Sequence, residues 1–173
     1  PKVPVTITPV DAESATLDVA GVVYRPFPRG GFDLAHRLRD MDAMGVDVQV
    51  LSATPQTYLY NQDASLGATT AAIQNDQIAK LIKQNPQRFM GIATLPVQAP
   101  EKAADQLKPG MTKLGLRGTM LASNIMGKNL DDQSFEPVWA TAEELGAFVF
   151  IHPNNVAGAD WMKSYYLNNL IGN

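Results

Sequence analysis

The chain has 173 residues, of which 45% are hydrophobic and 18% charged, with a formal net charge of -3 and no cysteine. This length predicts one well-buried domain and is too short for two of ordinary size. The lack of thiols excludes disulfides, thiolate zinc sites and cysteine nucleophiles from these residues, and no basic stripe favours nucleic-acid binding.

Nothing in the pattern indicates a membrane protein or a secreted one. No apolar run reaches the roughly 20 residues that a membrane-spanning helix needs. Residues 1–4 read Pro-Lys-Val-Pro and lack the apolar core of a signal peptide. The default expectation is therefore a cytoplasmic protein with neither a membrane nor a nucleic acid as partner.

Residues 1–32 differ from the rest of the chain. They are rich in proline, contain the pair Gly30-Gly31, and hold short β-prone runs at 5–7 and 22–24. We predict an irregular N-terminal segment, a loop or small hairpin inserted beside a larger body. The regular part then spans residues 33–173.

From Asp33, a plausible helix N-cap, apolar residues recur at helical spacing until Gly45, and the same alternation of helix and strand continues afterwards. Pro109 and Gly110 are expected to end the third helix. The predicted helices are 34–44, 64–84, 100–108, 135–145 and 160–170, and the predicted strands are 46–51, 89–95, 116–121 and 147–152.

This alternation predicts an α/β fold with a parallel sheet built from βαβ units. Two architectures fit the pattern: an open doubly wound sheet, or part of a (β/α)8 barrel. A complete barrel takes ~250 residues, so four strands correspond to half of one.

His152 is the main candidate for a functional residue. It ends the apolar strand 147–151 and is followed by Pro153, Asn154 and Asn155. Parallel α/β folds place their chemistry at the carboxyl ends of strands, where a neutral imidazole can serve as a metal ligand or an acid/base group. The alternative is a structural histidine whose ring is satisfied by a backbone carbonyl. The other histidine, His36, falls inside the first helix and is expected to be structural.

Several motifs in the regular part occur together, in the same order and at fitting intervals as in a known family. From Arg37 onward the chain resembles the amidohydrolase-2 branch of the metal-dependent hydrolases, the group that contains aminocarboxymuconate-semialdehyde decarboxylase. The matching stretches are residues 39–52, 85–91, 94–100, 130–132, 142–146 and 150–153.

The resemblance implies a (β/α)8 barrel that holds a divalent metal, usually zinc. The family's ligands come from a His-x-His pair on the first strand, histidines on the fifth and sixth, and an aspartate on the eighth. By this likeness His152 is the fifth-strand metal ligand, and Arg25, in the insertion after the first strand, binds a substrate carboxylate. No His-x-His occurs in this chain, so the likeness covers the front-middle part of a barrel. The alternative for Arg25 is a solvated surface arginine.

Other polar and aromatic residues carry weaker hypotheses. Asp131 and Asp132 are expected to cap a helix rather than bind metal. Tyr58 and Tyr60 follow the first parallel strand, and three more aromatics follow the last: Trp161, Tyr165 and Tyr166. Such side chains either wall a pocket or pack beneath loops, and packing is the favoured interpretation.

The hypothesis that follows is a metal-dependent enzyme of the amidohydrolase family, with zinc as the expected metal. It is a decarboxylase or hydrolase acting on a small carboxylated substrate that is cyclic or unsaturated. The alternative is a non-catalytic, truncated α/β module that forms homo-oligomers through its open sheet edges, because unpaired edge strands seek partners.

Overall fold

The computed structural model describes residues 4–154 and 158–172. Its first element is a three-stranded antiparallel sheet made of β1 (Val5–Pro9), β2 (Ser14–Val19) and β3 (Val22–Pro28), in that order. Ala20 and Gly21, both at positive φ, form the two-residue turn between β2 and β3, as tight hairpins require. The segment is therefore more regular than predicted, because β2 alternates buried and half-buried residues and pairs with both β-prone runs.

The remaining elements alternate between helix and parallel strand, except that a small antiparallel pair of strands follows the third parallel strand. They are α1 (Leu34–Met44), β4 (Gln49–Leu51), α2 (Ala64–Gln84), β5 (Phe89–Gly91), α3 (Pro100–Thr112), β6 (Gly118–Ala122), β7 (Asn124–Ile125), β8 (Lys128–Asn129), α4 (Glu136–Leu145), β9 (Phe148–His152) and α5 (Leu167–Leu170). The predicted caps of α1 are confirmed: the Asp33 carboxylate accepts from the His36 backbone N–H, and Gly45 adopts a left-handed conformation.

Four of the strands are parallel and follow one another in space as they do along the chain. β4 pairs with β5, and β6 pairs with β9. A single parallel bridge between Ala93 and Thr119 joins the two pairs. The Ala93 N–H donates to the Gly118 carbonyl at 2.7 Å, and the Met120 N–H donates to the Ala93 carbonyl at 2.9 Å. The predicted α/β fold with parallel βα units is confirmed, and its strand order shows no reversal within the described residues.

The main core lies between these strands and the helices. Among its most deeply buried side chains are Phe89, Leu95, Leu107, Leu121 and Val138. The approach of α2 to β5 depends on Gly91, because a Cβ there would lie 2.5 Å from Ile78 Cγ2 and 2.8 Å from Ile82 Cδ1. The sequence thus places a residue without a side chain where helix and strand come closest.

Two predicted helix boundaries are wrong. Helix α3 continues through Pro109 to Thr112, although proline lacks the N–H for a helical bond. Burial of Leu107 and Gly110 on either side stabilises the helical path, and the Pro109 carbonyl still accepts from the Lys113 and Leu114 N–H groups.

The last predicted helix, 160–170, is instead a 3₁₀ turn at Ala159–Met162 followed by the single turn α5. Neither piece buries a residue, so packing does not stabilise a longer helix there.

Candidate functional site

A cleft of about 670 Å³ opens at the carboxyl ends of the parallel strands. Its lining comes from the segments that follow β4, β6 and β9, with additions from β3 and α5. The lining residues are Tyr24, Thr54, Pro55, Gln56, Tyr58, Leu59, Tyr60, Asn61, Met126, His152, Pro153, Asn154, Asn168 and Asn169. This is the position at which parallel α/β folds collect functional side chains.

His152 lies on the wall of this cleft and is half-buried. It is the last residue of β9 and pairs in register with Ala122 of β6. Its Nδ1 is 2.7 Å from the Pro153 carbonyl oxygen. A carbonyl only accepts, so Nδ1 carries the proton and the Nε2 lone pair is left for a ligand. This arrangement, with one ring nitrogen held by a carbonyl, occurs in metal-binding histidines and is also what the alternative of a structural histidine predicts, so the metal-ligand role stays a prediction.

The loop after β4 is fixed from two sides. Thr57 Oγ1 donates to the Thr54 carbonyl at 2.7 Å, and Gln74 of α2 donates its Nε2 hydrogen to Thr57 Oγ1, also at 2.7 Å. Gln98, which precedes α3, donates its side-chain amide to the Leu59 carbonyl at 3.2 Å. The loop is therefore preorganised by side chains that do not themselves line the cleft.

Tyr58 and Tyr60 are the most buried aromatic side chains of the cleft, 5% and 8% exposed. Their rings stack with centroids 5.1 Å apart. Both hydroxyls are buried without a hydrogen bond of acceptable geometry among the described residues, although the Tyr60 oxygen lies beside the Ala122 backbone. Burial raises the pKa of both phenols, and Tyr58 raises that of Tyr60 further, so both stay protonated at neutral pH. The expected packing role is confirmed for this pair, which also walls the cleft.

Arg25 is not among the described residues that line the cleft with His152. Arg25 is exposed on β3, and its neighbour Tyr24 is the β3 residue that lines the cleft. A carboxylate-binding role for Arg25 therefore stays a prediction. His36 lies within α1 as expected, with its Nε2 3.3 Å from a Glu13 carboxylate oxygen and 3.6 Å from one of Asp40, and its structural role stays a prediction.

The remaining sequence candidates have different outcomes. Asp132 caps a 3₁₀ turn, because its carboxylate accepts a hydrogen bond from the Ser134 N–H. Hydrogen bonds from the Ser134 hydroxyl and from the Ser134 N–H lower the pKa of the Asp132 carboxyl. Trp161, Tyr165 and Tyr166 are 92%, 88% and 81% exposed, so the packing interpretation is wrong for them. Asn155 lies outside the described residues.

The cleft also contains residues that sequence reasoning missed. Thr54 and Gln56 follow the carboxyl end of β4, so the rule that selected His152 would have found them. Gln98 gave no such signal, since its amide reaches the loop from a distant part of the chain.

A metal site requires more donors than His152 supplies. Within residues 4–154 and 158–172, no three or more histidine, aspartate or glutamate side chains are grouped closely enough to hold an ion. Catalytic zinc sites take about three protein ligands. The described residues alone therefore do not form the site that the resemblance implies.

Residues 9–172 match the family model described as Amidohydrolase. The chain belongs to the amidohydrolase family. Among curated proteins, this amidohydrolase chain is 37% identical over 158 residues to the 2-amino-3-carboxymuconate-6-semialdehyde decarboxylase of Dictyostelium discoideum. The aligned region covers 91% of this chain and 44% of that relative.

Solved structures of the family superpose on the same region. The 5-carboxyvanillate decarboxylase of Sphingomonas paucimobilis is 33% identical with a TM-score of 0.71, covering 77% of this amidohydrolase chain and 40% of its own. The 5-carboxyvanillate decarboxylase of Novosphingobium aromaticivorans is 30% identical with a TM-score of 0.70, and the match covers 80% of this chain and 39% of that enzyme. It was crystallised with manganese and 4-hydroxy-3-methoxy-5-nitrobenzoic acid. The chain thus spans less than half the length of these relatives. Among the described residues, no helix combines the length and apolar character needed to cross a membrane.

Proposed function

We propose that the complete protein is a metal-dependent decarboxylase that releases CO2 from a small carboxylated ring or unsaturated compound. The observation that carries the proposal is His152, which lines a cleft at the carboxyl ends of parallel strands and whose Nδ1, not Nε2, contacts the Pro153 carbonyl. The relatives support it, since each is named a decarboxylase of a carboxylated compound.

The four parallel strands are proposed to be about half of a (β/α)8 barrel. Their sequential order supports this, because doubly wound sheets reverse direction at a switch point. One face of the sheet carries Val50, Met90, Phe148 and Phe150, which are 57%, 47%, 57% and 45% exposed. Such an apolar face is typical of a barrel interior that further strands cover.

His152 is proposed as one ligand of a divalent metal, with the remaining ligands contributed outside the described residues. A bound divalent ion would act as a Lewis acid toward an oxygen of the substrate. The manganese in the Novosphingobium enzyme makes manganese as reasonable a candidate as zinc. The Pro153 carbonyl holds the imidazole in the tautomer that leaves Nε2 unprotonated.

Arg25 is proposed to bind the carboxylate of the substrate. It adjoins Tyr24, a cleft residue, and a guanidinium can bind a carboxylate with two parallel hydrogen bonds. Arg25→Lys keeps the charge but loses this geometry, so we expect it to raise KM for carboxylated substrates. Arg39→Lys, on the exposed side of α1, is the matched control.

The test uses the complete protein loaded separately with Mn²⁺ and Zn²⁺ and supplied with 2,6-dihydroxybenzoate or 5-carboxyvanillate. We expect CO2 release with at least one pair, and near-stoichiometric metal by mass spectrometry. His152→Ala is expected to lower metal affinity by about tenfold or more, whereas His36→Ala leaves it unchanged. A His152→Ala protein with full metal content and activity would contradict the proposal.

The hydrolase alternative is tested in the same assay by adding a lactone or an amide. Hydrolysis without CO2 release would assign the protein to that branch of the prediction. Sedimentation of the complete protein tests the predicted homo-oligomer.

A further inference from the structure

Two buried phenols in the cleft have hydrogen-bonding capacity that the described residues do not use. Tyr58 and Tyr60 are each more than nine-tenths buried, and neither hydroxyl makes a hydrogen bond of acceptable geometry within the described residues, although the Ala122 backbone lies beside the Tyr60 oxygen. Buried polar groups are nearly always satisfied, so an unused pair beside a candidate site needs a partner that arrives from elsewhere. Protonated phenols offer donors, and an anionic oxygen is the strongest acceptor that such donors can bind.

The backbone between the two tyrosines is strained. Leu59 has a φ of 55°, a left-handed conformation that a branched side chain adopts at a cost. Its carbonyl is held by the Gln98 amide, and its side chain packs in the small cluster formed with Leu17 and Val19. Strain of this kind persists where the surroundings enforce it, and it is concentrated at binding sites.

The consequence of this geometry is a fixed aromatic pair. Tyr58, Leu59 and Tyr60 all line the cleft, and the two tyrosine rings stack against each other. Thr57 and Gln74 hold the start of the same loop. The two rings are therefore held in the cleft wall before any ligand binds, with both hydroxyl oxygens buried within that wall, and this lowers the cost of ordering them on binding.

We propose that Tyr58 and Tyr60 form a hydrogen-bond donor pair that binds an anionic oxygen of the small carboxylated compound and so determines specificity. This inference rests on the proposed function for the class of compound. The anionic oxygen belongs to the carboxylate or to a ring phenolate, and separate probes distinguish the two sources. The pair contributes to binding and orientation, and no proton transfer is assigned to it.

The experiment measures binding to the complete, metal-loaded protein by calorimetry. The probes are cyclohexanecarboxylate, its neutral amide, and 2-nitroresorcinol, which lacks a carboxylate. We expect Tyr58→Phe and Tyr60→Phe to weaken one or both anionic probes by about tenfold or more, because each variant removes one donor to a charged group. Binding of the neutral amide and the metal content are expected to stay constant. Tyr165→Phe, at an exposed tyrosine, is the matched control.

A spectroscopic measurement on the unmutated protein keeps the inference testable if a variant fails to fold. Cyclohexanecarboxylate does not absorb in the near ultraviolet, so a red shift of tyrosine absorption on its addition reports donation by the phenols. Wild-type affinity in both phenylalanine variants, or binding without this shift, would overturn the inference. If the wild-type protein releases CO2 and both phenylalanine variants bind the anionic probes with wild-type affinity, the tyrosine pair is refuted and the proposed function stands. If the protein binds the anionic probes through these hydroxyls yet releases no CO2 from any substrate, only the proposed function fails.

Discussion

Removing the side-chain amide of Asn75 tests how α2 supports the end of β5. Asn75 is 3% exposed, and its amide makes two hydrogen bonds to one residue. The Nδ2 group donates to the Thr94 carbonyl, and the Thr94 N–H donates to Oδ1, both at 2.9 Å. Thr94 directly follows Ala93, whose bridge to Thr119 joins the two strand pairs. The side-chain amide of Asn75 therefore bonds to Thr94 where a neighbouring strand would otherwise do so.

The Asn75→Ala substitution leaves a buried N–H and a buried C=O of Thr94 without partners. Each unsatisfied group costs about 1–3 kcal/mol, and alanine regains about 0.5 kcal/mol through its higher helix propensity. The expected loss in the free energy of unfolding is therefore about 2–5 kcal/mol.

Urea denaturation of the complete protein measures this loss, with Gln77→Ala at an exposed position of the same helix as the control. Hydrogen exchange at the Thr94 amide reports the local effect. A loss below about 1 kcal/mol, with the Thr94 amide still protected, would show that the amide does not replace a strand and that the reasoning is wrong.

Three further predictions concern packing, strand approach and alkaline stability. Leu107→Ala in α3 removes a fully buried side chain, and denaturation should show a loss of about 2–5 kcal/mol in the free energy of unfolding. A loss as small as that of a substitution at an exposed position would contradict the place of Leu107 in the core. Gly118→Ala places a Cβ against the Phe148 backbone, so β9, which ends at His152, must shift. Calorimetry of this variant should show a lower melting temperature and weaker metal binding, and an unchanged melting temperature and metal affinity would refute the prediction. Burial raises the pKa of Tyr58 above its usual 10.0, so the stabilising effect of the neutral phenol is lost as pH rises beyond about 10. Tyr58→Phe should therefore move alkaline unfolding to higher pH, and an unchanged midpoint refutes the burial argument.

Much of the α/β body could be predicted because its signals are local. Asp33 and Gly45 mark the ends of α1 through their own cap geometry, and the alternation of helix and strand indicates a parallel sheet. Pro109 was misleading, because tertiary burial of its helix overrides the local penalty. The order of the strands likewise emerges only from the hydrogen bonds of Ala93.

The position of the candidate cleft could be predicted from the sequence, but only some of its lining residues could. His152 was found because a polar residue ending an apolar strand is visible in the sequence. The buried state of the Tyr58 and Tyr60 hydroxyls was not, since it depends on Leu59 at positive φ and on Gln98 approaching from another segment. The position of Arg25 relative to the cleft depends on the pleat of β3, which places Tyr24 among the lining residues.

The contact of Leu59 with Leu17 and Val19 connects the loop that carries Tyr58 and Tyr60 to the antiparallel sheet. Leu17 and Val19 are 2% and 4% exposed, so changing the size of either alters the packing around Leu59 and also costs stability. Under the proposed role of the tyrosine pair, mutations in this sheet are therefore expected to change ligand preference and stability together.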